Sequence, residues 1–225
     1  MVASSLFTEA DREAISRAVA EAEKKTSGEI IPVLATASDR YDRAEDLFGL
    51  CLAVVAVTAA WVLLQGVRPA AGDWESGPAP SLGLPEILAI FVGAWVVGAV
   101  LADKVPFLRR LFAGRWMMKP RVEAAAAEAF ERFHARRTKA ATGIVIYVSL
   151  FERRVAIRAD RAVSEKVPQE EWNRICSGLT LAMREGRARE GFVEAIGNCG
   201  GLLARHFPLQ PGDANELTNE LRVID

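Results

Sequence analysis

Glu152-Arg153-Arg154 sets a carboxylate beside two guanidinium groups, and Arg158, Asp160 and Arg161 follow closely. Arginine presents a planar fork of donors that matches the oxygens of a phosphate or a carboxylate. A carboxylate held near such a fork can act as a general acid or base. A further carboxylate, Glu29, stands where a helix is expected to meet a strand. If Glu29, Glu152 and Asp160 share a cleft, they form an acid/base set, with Arg153, Arg154 and Arg158 as an anion clamp. The competing reading is ion pairing across two strands that sets their register. Glu29 reads equally well as a solvated strand-start carboxylate or a structural salt-bridge partner.

Asp39, Asp42, Glu45 and Asp46 crowd one short polar connector. Oxygen-rich loops can hold Ca²⁺ or Mg²⁺. Here no EF-hand spacing is present, and Arg40 and Arg43 can neutralise the carboxylates, so a solvated linker is the plainer reading. The two histidines, His134 and His206, lack zinc-ligand spacing. His134 reads as a surface helix residue and His206 as a cation near a helix C-terminus. The three cysteines, Cys51, Cys176 and Cys199, form no CxxC. An odd, scattered set points to free thiols and a reducing compartment, with Cys176 and Cys199 inert on apolar helix faces. No GxSxG, P-loop or GxGxxG occurs.

These residues are spread over 225 positions, of which 51% are hydrophobic and 25% charged. The net charge of −1 argues against a nucleic acid held by a general basic field. The apolar excess is concentrated in two uncharged stretches, 47–67 and 87–102. The first is long enough to cross a bilayer as a helix, and the second becomes so with its flank. Small residues recur at Ala56/Ala60, Ala89/Gly93 and Ala94/Gly98, a spacing that lets helices approach closely. We expect a transmembrane hairpin over 44–103 that interrupts one α/β domain, 1–43 with 104–210, followed by a polar tail at 211–225. No basic n-region of a cleavable signal precedes the first helix. Residues 68–83 carry one Arg, while Lys104, Arg109, Arg110, Arg115, Lys119 and Arg121 follow the second stretch. Basic residues near span ends stay cytoplasmic, which predicts a multi-pass inner-membrane protein with both termini inside. Residues 107–118 are both basic and aromatic, so Phe107, Arg109, Arg110 and Trp116 are expected at the membrane interface.

Thr8 can cap a helix with an apolar stripe at Ile15, Ala18, Val19 and Ala22, closed by Ser27-Gly28. A strand follows over 29–35, where Pro32 predicts an edge or a bulge. Pro120 fits the first turn of a helix over 121–137. Residues 144–149 read as a central buried strand, and 154–159 as its antiparallel hairpin partner. Helices over 169–184 and 190–206 close the domain, with Gly197 and Gly201 expected at a close packing contact. The order predicts a small mixed sheet covered by helices.

Thr26-Ser27-Gly28-Glu29-Ile30-Ile31, then Thr142-Gly143-Ile144-Val145-Ile146-Tyr147-Val148, then Glu152 through Asp160 resemble the TPM domain family. Glu190-Gly191-Phe192 and Asn215-Glu216-Leu217 resemble a membrane-anchored subgroup of it. The resemblance spans 8–207 outside the hairpin. It implies a Rossmann-like α/β/α sandwich. It also implies one of several roles: acid phosphatase, divalent-metal binder, or accessory protein in the repair or assembly of membrane complexes. Where the family usually has Asp-Asn-Gly before the central strand, this chain has Ala141-Thr142-Gly143, which removes a metal ligand. Many family members are extracytoplasmic and lack an internal hairpin. The reading carried forward is a non-catalytic accessory module with a membrane-protein partner. The alternative is a phosphatase or a divalent-cation module. No cofactor is obligatory, and Ca²⁺ or Mg²⁺ is the only one the residues suggest.

Overall fold

A computed structural model describes residues 2–64, 82–133, 142–210 and 217–225. His134, Arg136, Arg137, Ala141 and Asn215-Glu216 lie outside the described residues, as do the side chains of Arg109 and Trp116. The chain divides into two units, 1–39 with 116–225, and 40–115.

The first unit is built on a four-stranded sheet in the order β3-β2-β1-β4, from β1 (Ile30–Ala35), β2 (Ile144–Ser149), β3 (Arg154–Ala159) and β4 (Arg222–Ile224). β2 and β4 run parallel to β1, and β3 is antiparallel to β2. Alternate residues of the buried strands feed two cores, as the two-residue period of a strand requires. Ile30, Leu34, Ile144, Ile146 and Val148 face α1 (Glu9–Glu23), α7 (Gln169–Arg184) and α8 (Ala188–His206). Ile31, Val33, Val145, Tyr147 and Ala156 face α5 (Arg115–Arg132) through Val122, Ala126, Ala129 and Phe130. The result is an α/β/α sandwich with β2 buried on both faces.

Local chemistry fixes the element ends. Thr8 Oγ1 accepts from Asp11 N at 3.2 Å while Asp11 Oδ2 accepts from Thr8 N at 3.1 Å, a closed capping box on α1. Gly186, at φ +74°, turns the chain after α7. Asp160 caps a short helix, α6 (Arg161–Lys166), that local propensity did not disclose.

Several expectations are corrected. Pro32 lies in a strand with neighbours on both sides rather than at an edge or bulge. The ladder explains how it is tolerated. Glu29 and Ala35 carbonyls accept from β2, and Thr36 N donates to Ile224 of β4. Even-numbered positions therefore face β4, and that pairing begins only at Val33. Pro32 lacks its N–H where no strand stands opposite. The tail is not wholly polar loop, because Arg222–Ile224 forms β4. Its pairing is a long-range contact with no local signature. Pro120 lies inside α5, not in its first turn, since the helix already begins at Arg115. Gly197 and Gly201 face open space. The glycines in close contact are Gly191, against Ala182, and Gly200, whose added Cβ would lie 2.6 Å from Ala22 Cβ.

The second unit contains α2 (Asp42–Leu64), α3 (Leu84–Lys104) and α4 (Pro106–Phe112). Its boundary falls later than expected, because α4 belongs with it: Phe112 meets Phe48 edge-to-face at 5.3 Å. α2 and α3 pack antiparallel through small residues. A Cβ on Gly98 would come within 2.7 Å of Gly49 Cα, and Ala53 and Ala102 are fully buried beside them. The packing seam is thus Gly49/Ala53 against Gly98/Ala102. Ala89 and Gly93 are exposed instead.

The glycine contacts yield a paired prediction. Gly200→Val should destabilise the protein by about 1–3 kcal/mol through overpacking against Ala22. Gly197→Ala, with space around it, should stabilise by about 0.5–1 kcal/mol through helix propensity. Thermal melts of the two variants check both signs.

Candidate functional site

The sheet separates the predicted site residues to opposite ends. Glu29 immediately precedes β1 and Asp160 immediately follows β3, and both flank the start of β2. Glu29 O accepts from Ile144 N at 2.8 Å, and Asp160 N donates to Gly143 O at 2.9 Å. Two inter-strand spacings put their Cα atoms about 10 Å apart. Glu152 sits past the other end of β2, about 20 Å along the strand direction. The three carboxylates therefore do not share a cleft. Antiparallel pairing across a short turn is the reason, since it puts the turn and the end of β3 at opposite edges.

The arginines do not converge either. Arg153 is exposed in the turn, at φ +53°. Arg154 and Arg158 occupy one face of edge strand β3, but four residues apart, with Cα atoms about 13 Å from each other. They form no joint clamp with Arg153. Asp39 is 3.1 Å from Arg121 of α5. Among the described residues, no three His, Cys, Asp or Glu side chains group as metal ligands.

At the amino edge, where β1 and β2 begin, the structure adds a residue that sequence reasoning missed. Glu23, in the last turn of α1, accepts from Ile30 N through Oε1 at 3.0 Å. Burial pushes its carboxyl up to about 8, and the neighbouring Glu29 carboxylate, which also hydrogen-bonds to it, adds to the shift. Glu23–Glu29 is thus a carboxyl pair in which a proton is retained at neutral pH. The available signal was Glu23 following Ile15 and Val19 at four-residue steps, a carboxylate on the apolar stripe. Nearby, Thr142 Oγ1 donates to Ser27 O at 2.9 Å, and Thr26 Oγ1 to Phe207 O at 2.6 Å. These hydroxyls fasten the loop after α1 to the start of β2 and the end of α8. Asp160 Oδ1 accepts from Arg161 N at 2.7 Å, while its buried Oδ2 makes no hydrogen bond among the described residues.

At the carboxyl edge, Glu152 is 2% exposed. Its Oε1 accepts from Ser38 N at 2.9 Å, and its Oε2 accepts from Ser149 Oγ. Ser38 Oγ lies 3.3 Å from the Tyr147 hydroxyl. Burial, and then the Glu152 charge, push the Tyr147 phenol above its usual range, against the lowering effect of Ser38. Leu150 N and Phe151 N donate to Ala35 O and Thr36 O at 3.0 and 2.9 Å. Together these bonds form a clamp between the turn after β2 and the connector after β1. Ser149 is only 1% exposed. Burial likewise raises the Cys176 thiol to about 11 and raises Cys199 as well, so both stay protonated.

A family model described as the TPM domain matches residues 116–201, which run from α5 into α8. Over that stretch the chain is similar to the TPM domain family. The solved NMR structure of the BA42 protein from the psychrophilic bacterium Bizionia argentinensis is similar in fold. It has a TM-score of 0.56 at 19% identity and covers 96% of this chain and 94% of that one. No curated protein matches. The matched stretch contains β2 and β3, with Glu152 and Asp160, whereas β1, Glu23, Glu29 and Ser38 lie outside it.

Two tests follow from these edges. Glu23 has a raised folded-state pKa, so between about 4.5 and about 8 the native state holds more protons than the unfolded one. Stability should therefore fall as pH rises through that window and level off above it. Glu23→Gln, which keeps the acceptor for Ile30 N, should flatten the fall and raise Tm at pH 8 relative to the wild type. Glu152→Ala leaves a buried hydroxyl and a backbone N–H without their acceptor. It should cost about 1–3 kcal/mol per orphaned group in denaturant unfolding, and Glu152→Gln should cost less.

Proposed function

We propose that this protein is a membrane-anchored TPM domain protein whose α/β unit is a non-catalytic accessory module for a membrane complex. The observation that carries the reading is the surface of α2 and α3. Of the most apolar stretch of each helix, only 11% and 6% is buried within the protein. Val55, Val62, Leu63, Val92 and Val97 are among the side chains left exposed. In water such a surface exceeds what soluble proteins tolerate, whereas hydrocarbon is its natural solvent. The helices have spanning lengths of 23 and 21 residues. The Lys and Arg excess after α3 favours placing both termini and the α/β unit in the cytoplasm of a cell with an inner membrane. The buried clamp at the carboxyl edge supports a module that holds position rather than turns over substrate, because its polar atoms are spent on one another.

Alkaline extraction should leave the protein in the membrane fraction. Affinity capture from solubilised membranes should return a stoichiometric membrane-protein partner. Release by alkali would overturn the anchor, and repeated recovery of the protein alone would overturn the accessory role.

The phosphatase alternative has one observation in its favour, the proton-retaining Glu23–Glu29 pair beside Thr142 and Asp160. It requires phosphate release by the full-length protein that disappears in folded Glu29→Gln. Equal release by both proteins would remove it.

A further inference from the structure

We propose that α4 is a docking element for the anionic headgroup layer of the bilayer. The proposal rests on the membrane reading above and adds the chemistry of the surface and the residues that meet it. α4 exposes Phe107 and Leu111, one turn apart on a single face, at 70% and 63%. The helix is nevertheless held in place, since its Phe112 is seated edge-on against Phe48 near the start of α2. A fixed helix that turns two large apolar side chains outward needs a cover.

Position names the cover. Gly49 lies near the start of α2 and Gly98 near the end of α3, and they touch. The start of α2, the end of α3 and α4 therefore share one end of the hairpin. There Leu47, Leu50, Leu101 and Val105 are exposed as well. Phe107 and Leu111 thus continue the apolar shell of the spans at its margin, the level at which aromatic and basic side chains mix with headgroups.

Charge narrows the cover to anionic lipid. That end of the hairpin carries six basic residues by sequence, Arg40, Arg43, Lys104, Arg109, Arg110 and Arg115, against four acidic ones. Lys104 lies 3.3 Å from Asp103, but the pair is exposed and leaves its field available. Each basic residue near an anionic surface strengthens binding about fivefold. Insertion of Phe107 and Leu111 alone would serve any bilayer, whereas the basic excess selects phosphatidylglycerol-like headgroups over zwitterionic ones.

The test places a benzoylphenylalanine photocrosslinker at Phe107, Leu111 or Leu63 of the full-length protein. The protein is reconstituted in phosphatidylcholine vesicles with and without phosphatidylglycerol. Lipid adducts at all three positions are expected. At 107 and 111 the adducts should favour phosphatidylglycerol, and Lys104→Gln or Arg110→Gln should each lower that preference about fivefold. Lipid adducts at 63 but not at 107 and 111, or protein adducts there in native membranes, would overturn the proposal and leave the anchor standing. Lipid adducts at 107 and 111 without headgroup preference would overturn the anionic assignment. Absence of lipid adducts at 63 would overturn the membrane reading itself, and this proposal with it.

Discussion

Parallel pairing of β1 with β2 is the constraint on which the rest depends. Two neighbouring parallel strands cannot be joined by a tight turn, so the chain must leave one edge of the sheet and return to the other. Here α5 makes the return across one face. The unit 40–115 is spliced in ahead of it, after the connector that leaves β1. Because the insertion begins and ends outside the sheet, it adds two apolar helices without disturbing the β1–β2 register from Ile30↔Ile144 to Ala35↔Ser149.

The same pairing decides what the two sheet edges can do. The amino edge gathers Glu23, whose carboxyl burial pushes up to about 8, with Glu29 beside it and Asp160 across β2. The carboxyl edge gathers groups already satisfied, with Glu152 bonded to Ser38 and Ser149 and the turn backbone bonded to Ala35 and Thr36. A carboxylate with two donors on it is a fastener. A carboxylate that shares its surroundings with another is a proton store. The sequence motif Glu152-Arg153-Arg154 belongs to the first kind, although its composition suggests anion chemistry.

Elements with strong local signals were legible from residues alone. The runs of β2 and β3 and the amphipathic face of α7 coincide with their predicted limits, because burial pattern and turn chemistry agree at each end. Thr8 was legible as the cap of α1, and the structure adds Asp11 as its reciprocal partner. What escaped depends on distant partners. β4 is three residues whose only reason to be a strand is the open flank of β1. Glu23 continues the apolar stripe of Ile15 and Val19, but its purpose shows only once Ile30 N is found beside it. The hairpin seam uses Gly49 and Gly98, which many equally small neighbours on the same helices mimic. Helix spacing narrowed the choice without settling which face turns inward.

The flank of β1 that lies beyond β4 has a consequence for the company the protein keeps. An open strand margin normally offers a row of N–H groups on which another chain can crystallise as a further strand. On this margin the first donor, Ile30 N, is occupied by Glu23, and the next position is Pro32, which has none. Copies of such a domain would otherwise be able to meet margin to margin. The carboxylate and the proline leave neither Ile30 nor position 32 with an N–H to start a shared sheet.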